Sequence, residues 1–305
     1  MIRLDYRWGL AWPSLCLGWE ASFQGRLADA RQLLTSSVAI SDEIALPITS
    51  GLASGFLTYV HLACGNTELA YSLASTTLKR VNETGAGLIA GMAHQMLGAT
   101  LMARGELVAA RDHLQAAVDA ERRTGFTYAL SWHLALLGSL ERVEGELDTT
   151  QACGEEALEV ARRLGSGWLQ SGAERLLGRG ALAAGAATDA ERYVHHALGR
   201  LAGKGVVDIP ECLDVLGAVA ATQENHEEAA RLLGAAAARA RFGVVRFPPS
   251  RSSGLASSGP PEKRSETTAT TPPLPQAQRC AQMRRLATSA GPAASGNDRP
   301  AAGTA

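Results

Sequence analysis

The sequence predicts an all-α chain of about six stacked helical hairpins that repeat every forty residues, and three observations carry that prediction. Gly25, Gly65, Gly105, Gly145 and Gly185 stand one period apart, and Gly85, Gly125, Gly165 and Gly205 form a second register half a period away. Leu17, Leu57, Leu97, Leu137 and Leu177 run in step with them, and Leu216 continues the column after a one-residue deletion. Such a fixed internal period decides the fold class before any local propensity does. Composition agrees: of 305 residues 46% are hydrophobic but only 5% aromatic, too few rings for a β-sandwich and enough apolar material for a sizeable core.

Two glycines per period punctuate two helices per period, because glycine closes a helix in the left-handed conformation without steric penalty. The intervals leave helices of about 16 residues, each about 24 Å long. The first helix of each pair opens near Trp8, Ile48, Leu88, Tyr128 or Trp168. It then carries the leucine column and, directly after it, a small residue: Gly18, Thr58, Gly98, Gly138, Gly178 and Gly217. A large knob beside a small residue lets neighbouring helices approach closely. The second helix begins around Ala30, Ala70, Ala110, Thr150, Ala190 and Ala229, and continues through Val38, Leu78, Val118, Leu158 and Leu198. Spacings of four, as in Leu97 and Leu101 or Leu114 and Val118, are helical, and strand alternation is absent. Each pair buries its apolar face on its neighbours, so the repeat domain, residues 1–247, is expected to share one continuous core.

Beyond Phe247 the composition changes. No Ile, Val, Phe, Tyr or Trp occurs in residues 248–305, which hold nine of the twelve prolines and seven basic against three acidic residues. That segment cannot bury enough apolar surface to offset its ordering entropy and is expected to be a disordered tail. The abrupt change near Pro249 also fits a truncated or frame-shifted gene product. At the other end, Arg3 and Arg7 followed by the apolar stretch Trp8 to Trp19 have the outline of a secretory leader. Pro13 and Gly18 interrupt that stretch, no small-x-small cleavage site follows, and the segment fits the repeat register, so no leader is expected. No run of 18 apolar residues marks a membrane span. The five cysteines are scattered without a C-x-x-C pair, which points to neither zinc nor disulfides and to a reducing cytoplasm. A net charge of −1 lacks the basic excess of an autonomous nucleic-acid binder.

The order of a large apolar residue, Leu-Gly, Gly and Ala, as in Leu88, Leu97-Gly98, Gly105 and Ala110, resembles tetratricopeptide repeats in a forty-residue form. The resemblance implies a right-handed superhelix. The stretches Gly105 to Leu114 and Glu228 to Gly234 are similar to the helical repeats of large ATP-binding LuxR-type (MalT-like) transcriptional regulators. In that family an ATPase precedes the repeats and a helix-turn-helix follows them. Neither activity transfers to a residue here: the Gly203-Lys204 pair has Leu198 where a phosphate loop needs its first glycine, and no helix-turn-helix pattern follows residue 249.

Candidate chemistry is sparse. His61 and Cys64 share a helix but lack further ligands, and the adjacent His195 and His196 point to different faces. Glu155-Glu156 and Glu227-Glu228 read as solvated helix faces. No enzyme activity, cofactor or metal is therefore expected. What remains is surface recognition. The resemblance implies that first helices line a concave groove, and the positions off the Leu/Gly packing face are Trp12, Trp19, Tyr59, Gln95, Trp132, Arg142, Arg175 and Arg179. Aromatic and arginine side chains combine contact area with directed hydrogen bonds. They suit a protein or peptide partner with apolar and acidic portions, or a small effector, and uncapped repeat ends also allow self-association. The expected function is a noncatalytic interaction or effector-sensing module of a LuxR-type regulator, with a free-standing adaptor as the alternative and no direct sequence-specific DNA binding.

Overall fold

The computed structural model describes residues 8–125, 127–201 and 208–240. Among these, the chain forms helices α1 (Trp8–Phe23), α2 (Leu27–Glu43), α3 (Pro47–Ala63), α4 (Thr67–Thr84), α5 (Ala90–Arg104), α6 (Leu107–Thr124), α7 (Thr127–Glu144), α8 (Leu147–Arg163), α9 (Gly167–Ala183), α10 (Ala187–Leu201), α11 (Ile209–Thr222) and α12 (His226–Ala240). A 3-10 turn, Gly87–Ile89, leads into α5, and no described residue is in a strand. The expected tail at 248–305 lies outside the described residues. None of the described helices is long and apolar enough to cross a membrane.

Consecutive helices pair as six hairpins, and each odd helix also packs on the next odd helix, from α1 on α3 to α9 on α11. No pair of even helices packs comparably among the described residues. The odd helices therefore form one layer and the even helices the other.

The turns fall where the glycine registers put them. Gly25, Gly65, Gly85, Gly105, Gly125, Gly145, Gly165 and Gly185 all have φ between 64° and 91°. Ala45 and Glu224, with φ of 55° and 60°, are the two non-glycine residues with positive φ among those described. Ala45 lies one period before Gly85, and Glu224 follows Gly185 after the deletion, so the backbone keeps the repeat where the residue type does not.

The small column receives the second helix of its own hairpin. A Cβ at Gly98 would lie 2.7 Å from Leu114 Cγ, and one at Gly178 would lie 2.7 Å from Val194 Cγ2. Gly138 is hemmed in by Leu176 at 2.5 Å and Cys153 at 2.9 Å. The alanine column is buried throughout, from Ala30 to Ala229. Leu57, Leu97, Leu137 and Leu177 are at most 7% exposed and Leu216 is half-buried. Leu17 departs from the expected burial: it is 58% exposed. Interior leucines are covered by the preceding hairpin, as Leu177 is by Gly154 of α8, and no described hairpin lies on that face of α1.

Candidate functional site

The odd helices converge on one cavity of about 160 Å³. Its lining follows helical spacing. Trp132, Ala135, Leu136 and Ser139 come from α7, Trp168, Gly172, Arg175 and Arg179 from α9, and Gln95, Met96 and Ala99 from α5. Phe23 closes α1, Tyr59 comes from α3, and Asp208 and Glu211 stand at the start of α11. Residues three, four and seven apart share a helix face, so each helix offers a stripe. The forty-residue repeat aligns the stripes: Gln95, Ala135 and Arg175 share one register, and Tyr59, Ala99, Ser139 and Arg179 another.

Aromatic rings build one end. Phe23 meets Trp168 edge-on at 5.0 Å between centroids and stacks near Tyr59 at 6.4 Å. Trp168 meets Trp132 edge-on at 6.0 Å. Edge-on and offset rings place positive edges against negative faces, which holds the walls in fixed orientation. Burial raises the Tyr59 phenol's pKa well above its ordinary value, and Asp208 and Glu211 add to the effect against Arg175. The hydroxyl stays protonated across the physiological range.

Ions build the other end. Arg175 pairs with Asp208 and with Glu211, and Arg179 pairs with Glu211. Burial alone would weaken the Arg175 charge, but Asp208 and Glu211 outweigh it and hold its pKa above the ordinary arginine value. Burial likewise opposes the Glu211 charge, yet Arg179, Arg175 and Arg142 keep its carboxyl below the ordinary value. Arg175 and Glu211 are both charged at neutral pH.

Gln95, also in the lining, is 1% exposed, with neither its amide nitrogen nor its amide oxygen hydrogen-bonded. The serines of the lining are committed: Ser131 Oγ donates to the Ala157 carbonyl at 2.9 Å and Ser139 Oγ to the Ala135 carbonyl at 2.8 Å. No histidine or cysteine lines the cavity among the described residues.

Of the eight residues singled out from sequence, Tyr59, Gln95, Trp132, Arg175 and Arg179 line this cavity. Trp19 stands behind it, stacked on Phe56 at 5.3 Å and edge-on to Phe23 at 6.0 Å. Trp12 does not join them. It shares the register of Trp132, but on the first hairpin, where it is 44% exposed. Arg142 is not among the residues lining the cavity: it is 6% exposed and shares its register with Leu62, which lines the cavity, and Met102, which does not. Burial, with Arg179 beside it and Glu211 opposing, lowers its pKa to about 10. The expectation of arginines open to an acidic partner also changes, because Asp208 and Glu211 already compensate Arg175 and Arg179.

Sequence reasoning missed Phe23, Asp208 and Glu211 as lining residues and read Trp168 only as a helix start. A signal existed for Glu211. Across the deletion it occupies the register of Trp12, Trp132 and Gly172.

Other polar clusters are structural. Arg200 holds the buried Glu174 with two hydrogen bonds of 2.8 and 3.0 Å, and Arg111 holds Glu141 with 2.9 and 2.7 Å. His94 and His113 meet Nδ1 to Nδ1 at 2.9 Å with ring centroids 5.2 Å apart, the tip-to-tip approach of a hydrogen bond rather than of two ligands on one ion. No three His, Cys, Asp or Glu side chains among the described residues gather as metal ligands. His61 and Cys64 therefore stand without a third ligand, and His195 lies 3.7 Å from Glu191 instead.

No protein-family model matches the chain, and no curated protein matches it. Solved structures do. The chain is similar to the apo form of RapI, with a TM-score of 0.60 and 13% identity over 77% of this chain and 84% of that one. It is similar to BtubC from P. vanneervenii, with a TM-score of 0.54 and 16% identity over 80% and 98% of the two chains. A signal-transduction ATPase with numerous domains and a tetratricopeptide repeat sensor, from Pyrococcus horikoshii, aligns at 0.48 and 14% identity over 78% of this chain and 37% of its own. The chain thus has a tetratricopeptide-like helical-repeat fold.

Proposed function

We propose that this chain is a noncatalytic recognition module whose odd-helix layer holds a segment of a partner protein, or a small effector, in the cavity between Phe23, Tyr59, Trp132 and Trp168. The observation that carries this reading is the convergence of one stripe from each of α3, α5, α7 and α9 on a single cavity, with an aromatic end and an ion-paired end. Concave sites with apolar walls and a few placed polar groups are the usual form of ligand pockets. The engagement of Ser131 and Ser139 by main-chain carbonyls and of Asp208 and Glu211 by arginines favours binding over chemistry.

The likeness of Gly105 to Leu114 and Glu228 to Gly234 to LuxR-type regulator repeats supports a regulatory setting in the cytoplasm, in which occupation of the cavity is the sensed event. A free-standing adaptor uses the same cavity.

Gly172 supplies the test. It sits inside α9 on the cavity wall, and a Cβ there meets nothing within 4 Å. Gly172→Trp therefore fills the groove without disturbing the packing. Ligands enriched by the wild-type chain should be lost on Gly172→Trp and on Trp132→Ala while the melting temperature of Gly172→Trp holds. Equal enrichment by all three proteins would remove the cavity from the function.

A further inference from the structure

We infer that the cavity takes a flat, neutral group bearing a cis amide edge, an N–H and a C=O side by side on the same side of the molecule. This rests on the reading of the cavity as a recognition site and goes further, to the chemistry of its occupant.

The argument begins with what each wall leaves uncommitted. The carboxylates and guanidiniums beside α11 compensate one another's charge, so no charge of the occupant is called for there. Ser131 and Ser139 have spent their hydroxyl protons on main-chain carbonyls. That leaves Gln95. Its amide is buried, and both Nε2 and Oε1 lack a partner. A buried amide without hydrogen bonds is costly, and a group that supplies a donor and an acceptor together recovers that cost.

Geometry narrows the class. A primary carboxamide presents an N–H and its C=O in parallel on one edge, so its best partner is another edge of the same kind, joined by two hydrogen bonds in a closed ring. Lactams, nucleobase edges and primary carboxamides offer that edge. A trans peptide bond does not, because its N–H and C=O point in opposite directions. The aromatic end then favours a flat body, since Trp132, Trp168 and Phe23 offer faces and edges for stacking. At about 160 Å³ the cavity has room for one ring system.

The edge could come from a free lactam or nucleobase or from an Asn or Gln side chain of a partner. Three probes separate the cases by ligand-observed NMR titration against the full chain. Isoquinolin-1(2H)-one stands for the free lactam, acetyl-phenylalanyl-glutamine amide for the side-chain source, and N-methylbenzamide is the trans-amide control. A cis-edge probe should bind about tenfold or more tightly than N-methylbenzamide, and the tighter of the two identifies the source. Gln95→Leu should abolish that preference, and Gln95→Met, which keeps the side-chain length, should do the same. Trp168→Ala should weaken every probe alike. If N-methylbenzamide binds as well as both cis-edge probes, or the preference survives both Gln95 variants, the amide assignment falls while the cavity reading stands. If no probe binds, the amide assignment falls, and the Gly172→Trp comparison decides the cavity reading separately.

Discussion

The carboxyl of Glu121 on α6 lies 3.8 Å from the imidazole of His133 on α7, and the two side chains are 3% and 0% exposed. Gly91 of α5 packs against both: a Cβ there would lie 3.1 Å from His133 Cε1 and closer still to the Glu121 carboxyl. Three helices from two hairpins thus meet at two titratable groups. Burial raises the Glu121 carboxyl from 4.5 to about 7, and burial lowers the His133 imidazole from 6.5 to about 4.

These shifts oppose each other in their effect on stability. Glu121 holds its proton more tightly folded than unfolded, so its contribution is full below pH 4.5 and is lost as pH rises through about 7. His133 holds its proton less tightly folded, so its contribution is full above pH 6.5 and is lost as pH falls through about 4. Between these limits the slopes offset. Glu121→Gln should therefore unmask stability that rises with pH from about 4 to 6.5, and His133→Asn stability that falls from about 4.5 to 7. Each slope should amount to roughly 1–3 kcal/mol across its window. Urea midpoints taken across pH check this, and flat profiles in both variants would refute it.

Two helix-interior glycines should respond to alanine with opposite signs. Gly98→Ala drives a methyl into Leu114 and should cost about 1–3 kcal/mol. Gly172→Ala meets open space and should gain about 0.5–1 kcal/mol from helix propensity. Chemical denaturation of the pair separates close approach from mere composition.

Ala45 and Glu224 occupy left-handed backbone at turns where the other repeats use glycine. A side chain there costs roughly 1–2 kcal/mol, part of which glycine returns through unfolded-state entropy. Ala45→Gly and Glu224→Gly should each raise stability by about 0.5 kcal/mol. Gly105→Ala, the reverse change, should lower it, and thermal melts on the three variants decide the matter.

Arg142 is an arginine on a core register. Its Nε and Nη2 are buried without hydrogen bonds, and its charge faces Arg179 as well as Glu211. Replacing a buried, poorly compensated charge with an apolar side chain of similar length is commonly neutral or stabilising. Arg142→Met, the residue found one period earlier at Met102, should gain about 1 kcal/mol. A loss of that size in urea denaturation would show that the Glu211 attraction dominates.

The forty-residue period made the helices, the turns and the burial of Leu97 or Ala110 legible, because one spacing fixes both the backbone reversals and the buried face. It also reached five of the groove residues, since a stripe on one first helix recurs on the next. It did not distinguish Arg142, buried in the register of Leu62 and Met102, from the residues that line the cavity. It failed again at Leu17, whose register is buried only when a hairpin precedes it. Asp208 and Glu211 escaped notice because the deletion before Leu216 shifts their register by one, hiding a carboxylate in the column of Trp132.

Because the walls of the cavity belong to hairpins one through six, its width is a collective coordinate. A small tilt of any hairpin on its neighbour moves one wall relative to the others, and an occupant wedged between Tyr59 and Trp168 resists tilts at every junction it spans. Occupancy at one point would thus stiffen the stack along much of its length, turning a local contact into a mechanical signal.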